Sequence, residues 1–391
     1  MQYSFDQIVN RYHTSSIKYD HPESFGLPDD VLPLWVADMD FPVAPDIQKA
    51  LHEMADHGIF GYSDNNEEYF DAVHHWFLTH FHWDAKKEWL KKTPGVVFAI
   101  GTAIRALTNE GDAILIQRPV YYPFSQMVKA NNRTLVNNPL TYENGTYSID
   151  FIDFERKIQE NAVKMFILCS PHNPVGRVWT KDELLTMAQI CKKHNVIVVA
   201  DEIHCDFTYS GVTHTLFPTL GEEFLDTLVL CTAPSKTFNL AGLQASNIFI
   251  PNKLLRDKFQ AELNRMGVIE LNRAGLLACQ AAYTYGEDWL KELLLYLEGN
   301  LDLIRSFLSE RLPQIKLVEP QGTYLVWLDC SGLGLSGKEL NTFFGQKAKL
   351  WLDGGSMFGK EGASFQRINI ACPRSILEKA LTQLEAAIRT L

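Results

Sequence analysis

The chain has 391 residues, 46% of them apolar and 21% charged, with a net charge of −11. That is too long for one small core, ordinary for a globular protein, and of the wrong sign for a nucleic-acid or anionic-membrane partner. No apolar run approaches the about 18 residues that a membrane-crossing helix needs, and the start, Met1-Gln-Tyr-Ser-Phe-Asp, has neither the basic nor the apolar region of a secretion signal. Seven cysteines, at positions 169, 191, 205, 231, 279, 330 and 372, are scattered without a CxxC pair. They read as reduced core residues of a cytoplasmic protein.

Residues 1–45 are Pro-rich and aromatic with little periodicity before Ala44, which predicts an arm followed by an irregular connection. The middle of the chain then alternates strand-like and helical runs. Thr93-Pro-Gly-Val-Val97 is a turn opening a helical run over 98–108. Ala113-Ile-Leu-Ile-Gln, Met165-Phe-Ile-Leu-Cys, Val196-Ile-Val-Val-Ala and Thr227-Leu-Val-Leu-Cys are continuous apolar stretches, the pattern of strands buried on both faces. Between two of them, Thr180-Lys-Asp-Glu183 is a capping box for a helix over 184–194. From about 288 the pattern changes: a long amphipathic helix (289–312), strands at Leu317-Val-Glu and Thr323-Tyr-Leu-Val-Trp-Leu, a helix near 337–349, a strand near 365–370 and a closing helix from Pro373. The expected fold is α/β: a large domain, 46–287, with a mostly parallel sheet covered by helices, and a smaller α+β domain assembled from 1–45 and 288–391.

Three segments follow predicted strand ends, where open α/β sheets bind ligands. They are Ser170-Pro-His-Asn-Pro-Val-Gly176, Asp201-Glu-Ile-His204 and Cys231-Thr-Ala-Pro-Ser-Lys-Thr-Phe-Asn-Leu-Ala-Gly242. In that order they supply an amide (Asn173), a carboxylate (Asp201) and an amine (Lys236). A pyridoxal 5′-phosphate site needs these: an amine for the Schiff base, an anion for the pyridine nitrogen and a donor for the phenolic oxygen. Singly, each has a plainer meaning: a solvated lysine, a helix-cap aspartate, an Asn-Pro turn. Tyr121, in Arg118-Pro-Val-Tyr-Tyr-Pro-Phe124, is a candidate to stack on the ring. Gly95, Val96 and Val97 offer backbone N–H groups at a helix start for the phosphate, and Thr232 or Ser235 adds a hydroxyl. Arg367, alternating with apolar neighbours in Phe365-Gln-Arg-Ile-Asn369, suits bidentate capture of an amino-acid carboxylate.

Two rival signals are weaker. Gly332-Leu-Gly-Leu-Ser-Gly337 is a literal GxGxxG with Asp353 some way downstream. Too little chain follows that acid for the further βα units a dinucleotide fold requires. His74-His75 with His80 and His82 invites a metal, but helical spacing does not converge all these imidazoles and no Cys or carboxylate pattern completes a site; none is assigned.

With Val36-Ala-Asp-Met-Asp-Phe41, Phe60-Gly-Tyr62 and Ala371-Cys-Pro-Arg-Ser375, these segments resemble the pyridoxal-phosphate enzymes of fold type I in the aminotransferase class I/II superfamily. Within it the resemblance is to the MalY/PatB-type cystathionine β-lyases, and it runs from about Phe5 to Ile388. It implies a homodimer with sites at the subunit interface, Tyr62 reaching the partner's cofactor phosphate. Lys236, Asp201 and Tyr121 are then the catalytic set; Asn173, His204, Gly95, Val96, Val97, Thr232, Ser235 and Tyr62 hold cofactor with them. Arg367, Asn173, Ala37 and Tyr122 bind substrate. The implied reaction is cleavage of L-cystathionine or related cysteine S-conjugates to thiol, pyruvate and ammonia. An aminotransferase, and a non-catalytic regulator on the same fold, are the alternatives. Gln244, where many aminotransferases carry a phosphate-binding Arg, and His204, where a Tyr is usual, favour the lyase branch. Lys18-Tyr-Asp20 stands where lyase-like relatives tend to have Lys-Trp-Asp, a swap read as packing variation. Which of Tyr121, Tyr122 and Trp35 shapes the distal pocket stays open.

Overall fold

The computed structural model describes residues 3–63, 67–268 and 270–391; Met1 and Gln2 of the chain start lie outside them. The apolar runs become strands of a seven-stranded sheet: β1 (Leu90–Thr93), β2 (Ala113–Ile116), β3 (Thr134–Asn137), β4 (Met165–Cys169), β5 (Ile197–Asp201), β6 (Leu228–Thr232) and β7 (Ser246–Phe249). Their order is β1-β7-β6-β5-β4-β2-β3. Strands β2 to β6 pair in parallel, and β7 is antiparallel to both its neighbours.

Every residue of β2, β4 and β6 is buried. Successive side chains of a strand point to opposite faces, and here the two sets enter different cores. Leu115, Phe166, Leu168 and Leu230 join one cluster; Ile114, Met165, Ile167 and Val229 join the other. With both faces covered, no polar alternation survives in the sequence. The helix Lys181–Lys193 starts at the expected capping box: Thr180 Oγ1 accepts from Glu183 N–H (3.2 Å) while Glu183 accepts from Thr180 N–H (2.8 Å).

A second, antiparallel sheet contains β8 (Lys316–Val318), β9 (Leu325–Asp329), β10 (Asp353–Gly354) and β11 (Phe365–Asn369), in the order β8-β9-β11-β10. The expected helix 337–349 is α-helical only over Gly337–Thr342 and widens into a π turn at Phe343–Lys347. Gly345, a poor helix former, lies there with Leu27 pressed so close that a Cβ would approach it to 2.5 Å. The GxGxxG run serves this region's packing: Gly332 lies against the Gln314 carbonyl, and Ser336 caps the helix with Glu339.

The irregular N-terminal connection is sewn to this sheet. Leu32–Pro33 pairs in parallel with Leu350–Trp351, and Asn369 N–H donates to Leu34 O at 2.8 Å. The Asn369 side chain, fully buried, donates to the carbonyls of Val36 and Asp38, both at 2.6 Å, and accepts from Ala371 N–H at 2.8 Å. Residues 36–38 are thereby fixed beside the C-terminal ends of the central strands.

Candidate active site

The parallel strands β4, β5 and β6 end at Cys169, Asp201 and Thr232, and the segments beyond them border a cavity of about 210 Å³. Its wall includes Gly95, Val96, Val97, Tyr121, Asn173, Asp201, His204, Ser235, Lys236 and, from the N-terminal connection, Ala37. Lys236 sits in the short helix Pro234–Thr237, and its Nζ donates to the Ala37 carbonyl at 2.7 Å. Withdrawal from water, helped by Arg367, brings its pKa down to about 8, against the opposing pull of Asp38 and Asp201.

Asp201 is buried at the end of β5, and its Oδ1 accepts from Ile203 N–H at 3.2 Å. Burial pushes this carboxyl up to about 7 despite that bond and the nearby Lys236. His204 is buried too; desolvation and the charges of Lys236 and Arg367 hold it well below the usual imidazole range, and its Nδ1 has no partner among the described residues. Asn173 is linked to Tyr121 through the backbone (Tyr121 N–H to Asn173 O, 3.0 Å). At the other side the helix Val96–Leu107 begins at Gly95 with no side-chain cap, leaving its first N–H groups facing the cavity region. Gly95 has φ 153°, and a Cβ there would meet nothing within 4 Å.

These features fit pyridoxal phosphate. A costly buried carboxylate and an unpartnered imidazole nitrogen wait for polar partners, and an uncapped helix start is an anion site. The chain's own residues would hold the phosphate with Gly95, Val96, Val97 and Ser235, and the ring with Asp201, Asn173, His204 and Tyr121.

Four predicted residues lie off the cavity wall. Thr232 is buried at the end of β6, and its hydroxyl donates to Asn247 O (3.0 Å). Tyr62 is fully exposed beside Phe60, Asn272 and Arg273 around a separate surface concavity. Tyr122 is half-buried, its ring 5.5 Å from that of Tyr121. Arg367 is buried on β11: Nη1 donates to Asn173 Oδ1 (3.0 Å), and Nη2 donates to Trp35 O (2.9 Å) and to Asp353.

Sequence reasoning passed over several residues that border the site. Tyr324, read only as a strand aromatic, donates its hydroxyl to the same Ala37 carbonyl at 3.0 Å. Asp38 is paired with Arg11 (2.6 Å) and lies 3.5 Å from buried Lys18, which also pairs with Asp40 (2.9 Å). Gln244, weighed only as a departure from the aminotransferase pattern, lines the cavity. Asp353, dismissed with the GxGxxG run, is the ion-pair partner of Arg367. Asp38 had a local signal in its place in Val36-Ala-Asp-Met-Asp-Phe41, and Gln244 in standing eight residues after Lys236; Tyr324 had none.

Lys236 and buried Asp201 share one cavity at the mouth of a parallel sheet, and the chain is similar to several known proteins. Cystathionine beta-lyase PatB of Bacillus subtilis is 44% identical over 98% of this chain and 100% of its own length. Cystalysin of Treponema denticola, whose crystal structure contains a pyridoxal 5′-phosphate cofactor, superposes with a TM-score of 0.97 at 35% identity, covering 100% of both chains. The pyridoxal-phosphate-bound C-S lyase of Staphylococcus hominis superposes with a TM-score of 0.92 at 32% identity, over 99% of this chain and 98% of that one. Residues 29–384 match one family, and the chain therefore belongs to the aminotransferase class I and II family.

Proposed function

We infer that this protein is a pyridoxal-phosphate-dependent carbon–sulfur lyase that cleaves the Cβ–S bond of cystathionine or related cysteine S-conjugates to thiol, pyruvate and ammonia. The observation that carries the reading is the Lys236 amine, desolvated and held at Ala37 O, in one cavity with buried Asp201. Bound there, the cofactor supplies an electron sink for the substrate's Cα. Asp201 would keep that sink strong by holding a proton on the pyridine nitrogen. Lys236, whose pKa burial brings down to about 8, would take the Cα proton and return it to the departing sulfur. Arg367 and Asn173, hydrogen-bonded to each other, would orient the α-carboxylate so that the Cα–H bond faces Lys236. Ala37 and Tyr122 would complete the substrate contacts, and Tyr121 would pack on the ring.

Gln244 and His204 on the cavity wall favour elimination over amino transfer, since neither repeats the aminotransferase pattern. We also propose the division into 46–287 and the pair 1–45 with 288–391, supported by the pairing of Leu32–Pro33 with Leu350–Trp351. A homodimer with Tyr62 reaching the partner's phosphate accounts for that side chain's full exposure. Among the described residues no helix is long and apolar enough to cross a membrane, and all seven cysteines are buried and unpaired, which supports a cytoplasmic location.

The test is an assay of pyridoxal-phosphate-loaded protein with L-cystathionine and no added keto acid. Pyruvate and free thiol in equal amounts support the reading. Amino transfer on adding a keto acid, without pyruvate, makes the protein an aminotransferase instead.

A further inference from the structure

Arg367 does not meet an incoming carboxylate as a free cation. It lies directly opposite Asp353 in the β10–β11 register, and the two form an ion pair in which both side chains are at least 95% buried. Both flat edges of a guanidinium that can grip a carboxylate with two parallel N–H bonds include Nη2. In Arg367, Nη2 already donates to Asp353 and to Trp35 O, while Nε has no partner among the described residues. A substrate α-carboxylate gripped by two parallel N–H bonds must therefore compete for Nη2 with Asp353 or with Trp35 O, and Asp353 is the charged one of the two. Asp353 is also close enough to Tyr122 and Tyr121 for its charge to add to the rise that burial causes in both hydroxyl pKa values.

We propose that Asp353 sets the charge specificity of this site, admitting amino-acid substrates whose sulfur substituent is neutral or zwitterionic and disfavouring those carrying a second net negative group. One guanidinium charge is divided between Asp353 and the α-carboxylate. A further acid on the substrate then meets a surplus of negative charge in a place with little water to screen it. Cystathionine satisfies the rule, because its distal carboxylate travels with an ammonium. This inference rests on the carboxylate-binding role proposed above for Arg367.

The test compares β-elimination by loaded wild-type and Asp353→Asn enzymes on S-ethyl-L-cysteine and S-carboxymethyl-L-cysteine, which share the scissile bond and differ by one carboxylate. Wild type is expected to favour the ethyl conjugate at least about tenfold in kcat/KM, and the variant to narrow that ratio at least about fivefold, through KM rather than kcat. A wild-type enzyme with no preference, or an active variant with an unchanged ratio, overturns the proposal. A second readout needs no turnover: titration of wild-type and Asp353→Asn holoenzymes with L-alanine and L-aspartate by tryptophan fluorescence. Aspartate binding at least about tenfold weaker to wild type, with the gap narrowed in the variant, supports the proposal; equal affinities in wild type, or an unchanged gap in the variant, overturn it. If no conjugate yields pyruvate, the lyase reading fails, and this comparison still decides the role of Asp353.

Discussion

Lys236 Nζ and Tyr324 Oη donate to one carbonyl, that of Ala37, at 2.7 and 3.0 Å. The acceptor belongs to a connection 199 positions from Lys236 and 287 from Tyr324, so three distant parts of the chain converge on it. When Lys236 is removed, Ala37 O keeps its second donor, and a desolvated amine no longer has to be buried. The Lys236→Ala variant should therefore lose pyruvate formation by about 10³-fold or more, the scale of a lost proton-transfer group, with no fall in melting temperature for the cofactor-free protein. Turnover and thermal unfolding of the same preparation check this. A clear drop in melting temperature would mean that the lysine is holding the fold.

Asp201 gives a pH-dependent prediction of the opposite sign to most carboxylates. Burial raises its folded pKa to about 7 from 3.8. The folded, cofactor-free protein thus binds this proton more tightly than the unfolded chain, and the stabilisation is complete below pH 3.8 and lost as pH rises through 7. The Asp201→Asn variant has no such loss. Without cofactor it should melt above wild type at about pH 8, with the gap narrowing at about pH 5. Adding pyridoxal phosphate should reverse the order at about pH 8, because only wild type gains from tight binding. Melting curves at the two pH values, with and without cofactor, measure all of this; a gap that does not change with pH refutes it.

The parts of this site that a linear reading reaches are those that follow strand ends. Asn173, Asp201 and Lys236 each lie shortly after a continuous apolar run, and a parallel sheet brings such ends together whatever the helices between them do. The helix start at Gly95–Val97 is legible for a similar reason, since Pro-Gly before an apolar helix marks a turn. Tyr324 and Asp353 are invisible in sequence. Their neighbours come from strands with their own apolar pattern, and only the pairing of β9, β10 and β11 and the lie of residues 36–38 give them partners. The helix boundary at Thr342 was missed because a single Gly345 is tolerated in helical patterns, and it is packing against Leu27 that favours glycine there.

Asn369 is the stitch between the two chain ends, with its amide shared among Val36 O, Asp38 O and Ala371 N–H. The Asn369→Leu substitution keeps the volume but takes the amide away from one buried N–H and two half-buried carbonyls, of which Asp38 O keeps Lys18 Nζ at 3.4 Å. At about 1–3 kcal/mol for each unsatisfied group, stability should fall by about 2 kcal/mol or more. Because Ala37 lies between the two carbonyls it holds, KM should rise as well. Denaturant unfolding gives the first quantity and steady-state kinetics the second; a loss under about 1 kcal/mol would show that water replaces the amide without cost.

Tyr62 projects fully into solvent with Ile59 and Phe60 also exposed, 66% and 69% respectively. A run of large apolar side chains left open on one surface marks a contact site. If a second copy covers it and Tyr62 serves that copy's cofactor phosphate, each site takes Lys236 from one chain and Tyr62 from the other. Two defective proteins then complement. A hybrid of Lys236→Ala and Tyr62→Ala chains contains one site with both residues intact and one with neither. Random exchange makes half the dimers hybrids, so about a quarter of wild-type activity should return on mixing equal amounts. The exchange is followed by native mass spectrometry of differently tagged chains, and activity is read on the same sample. Hybrids that form without any gain over the separate variants would place Tyr62 outside the partner's site.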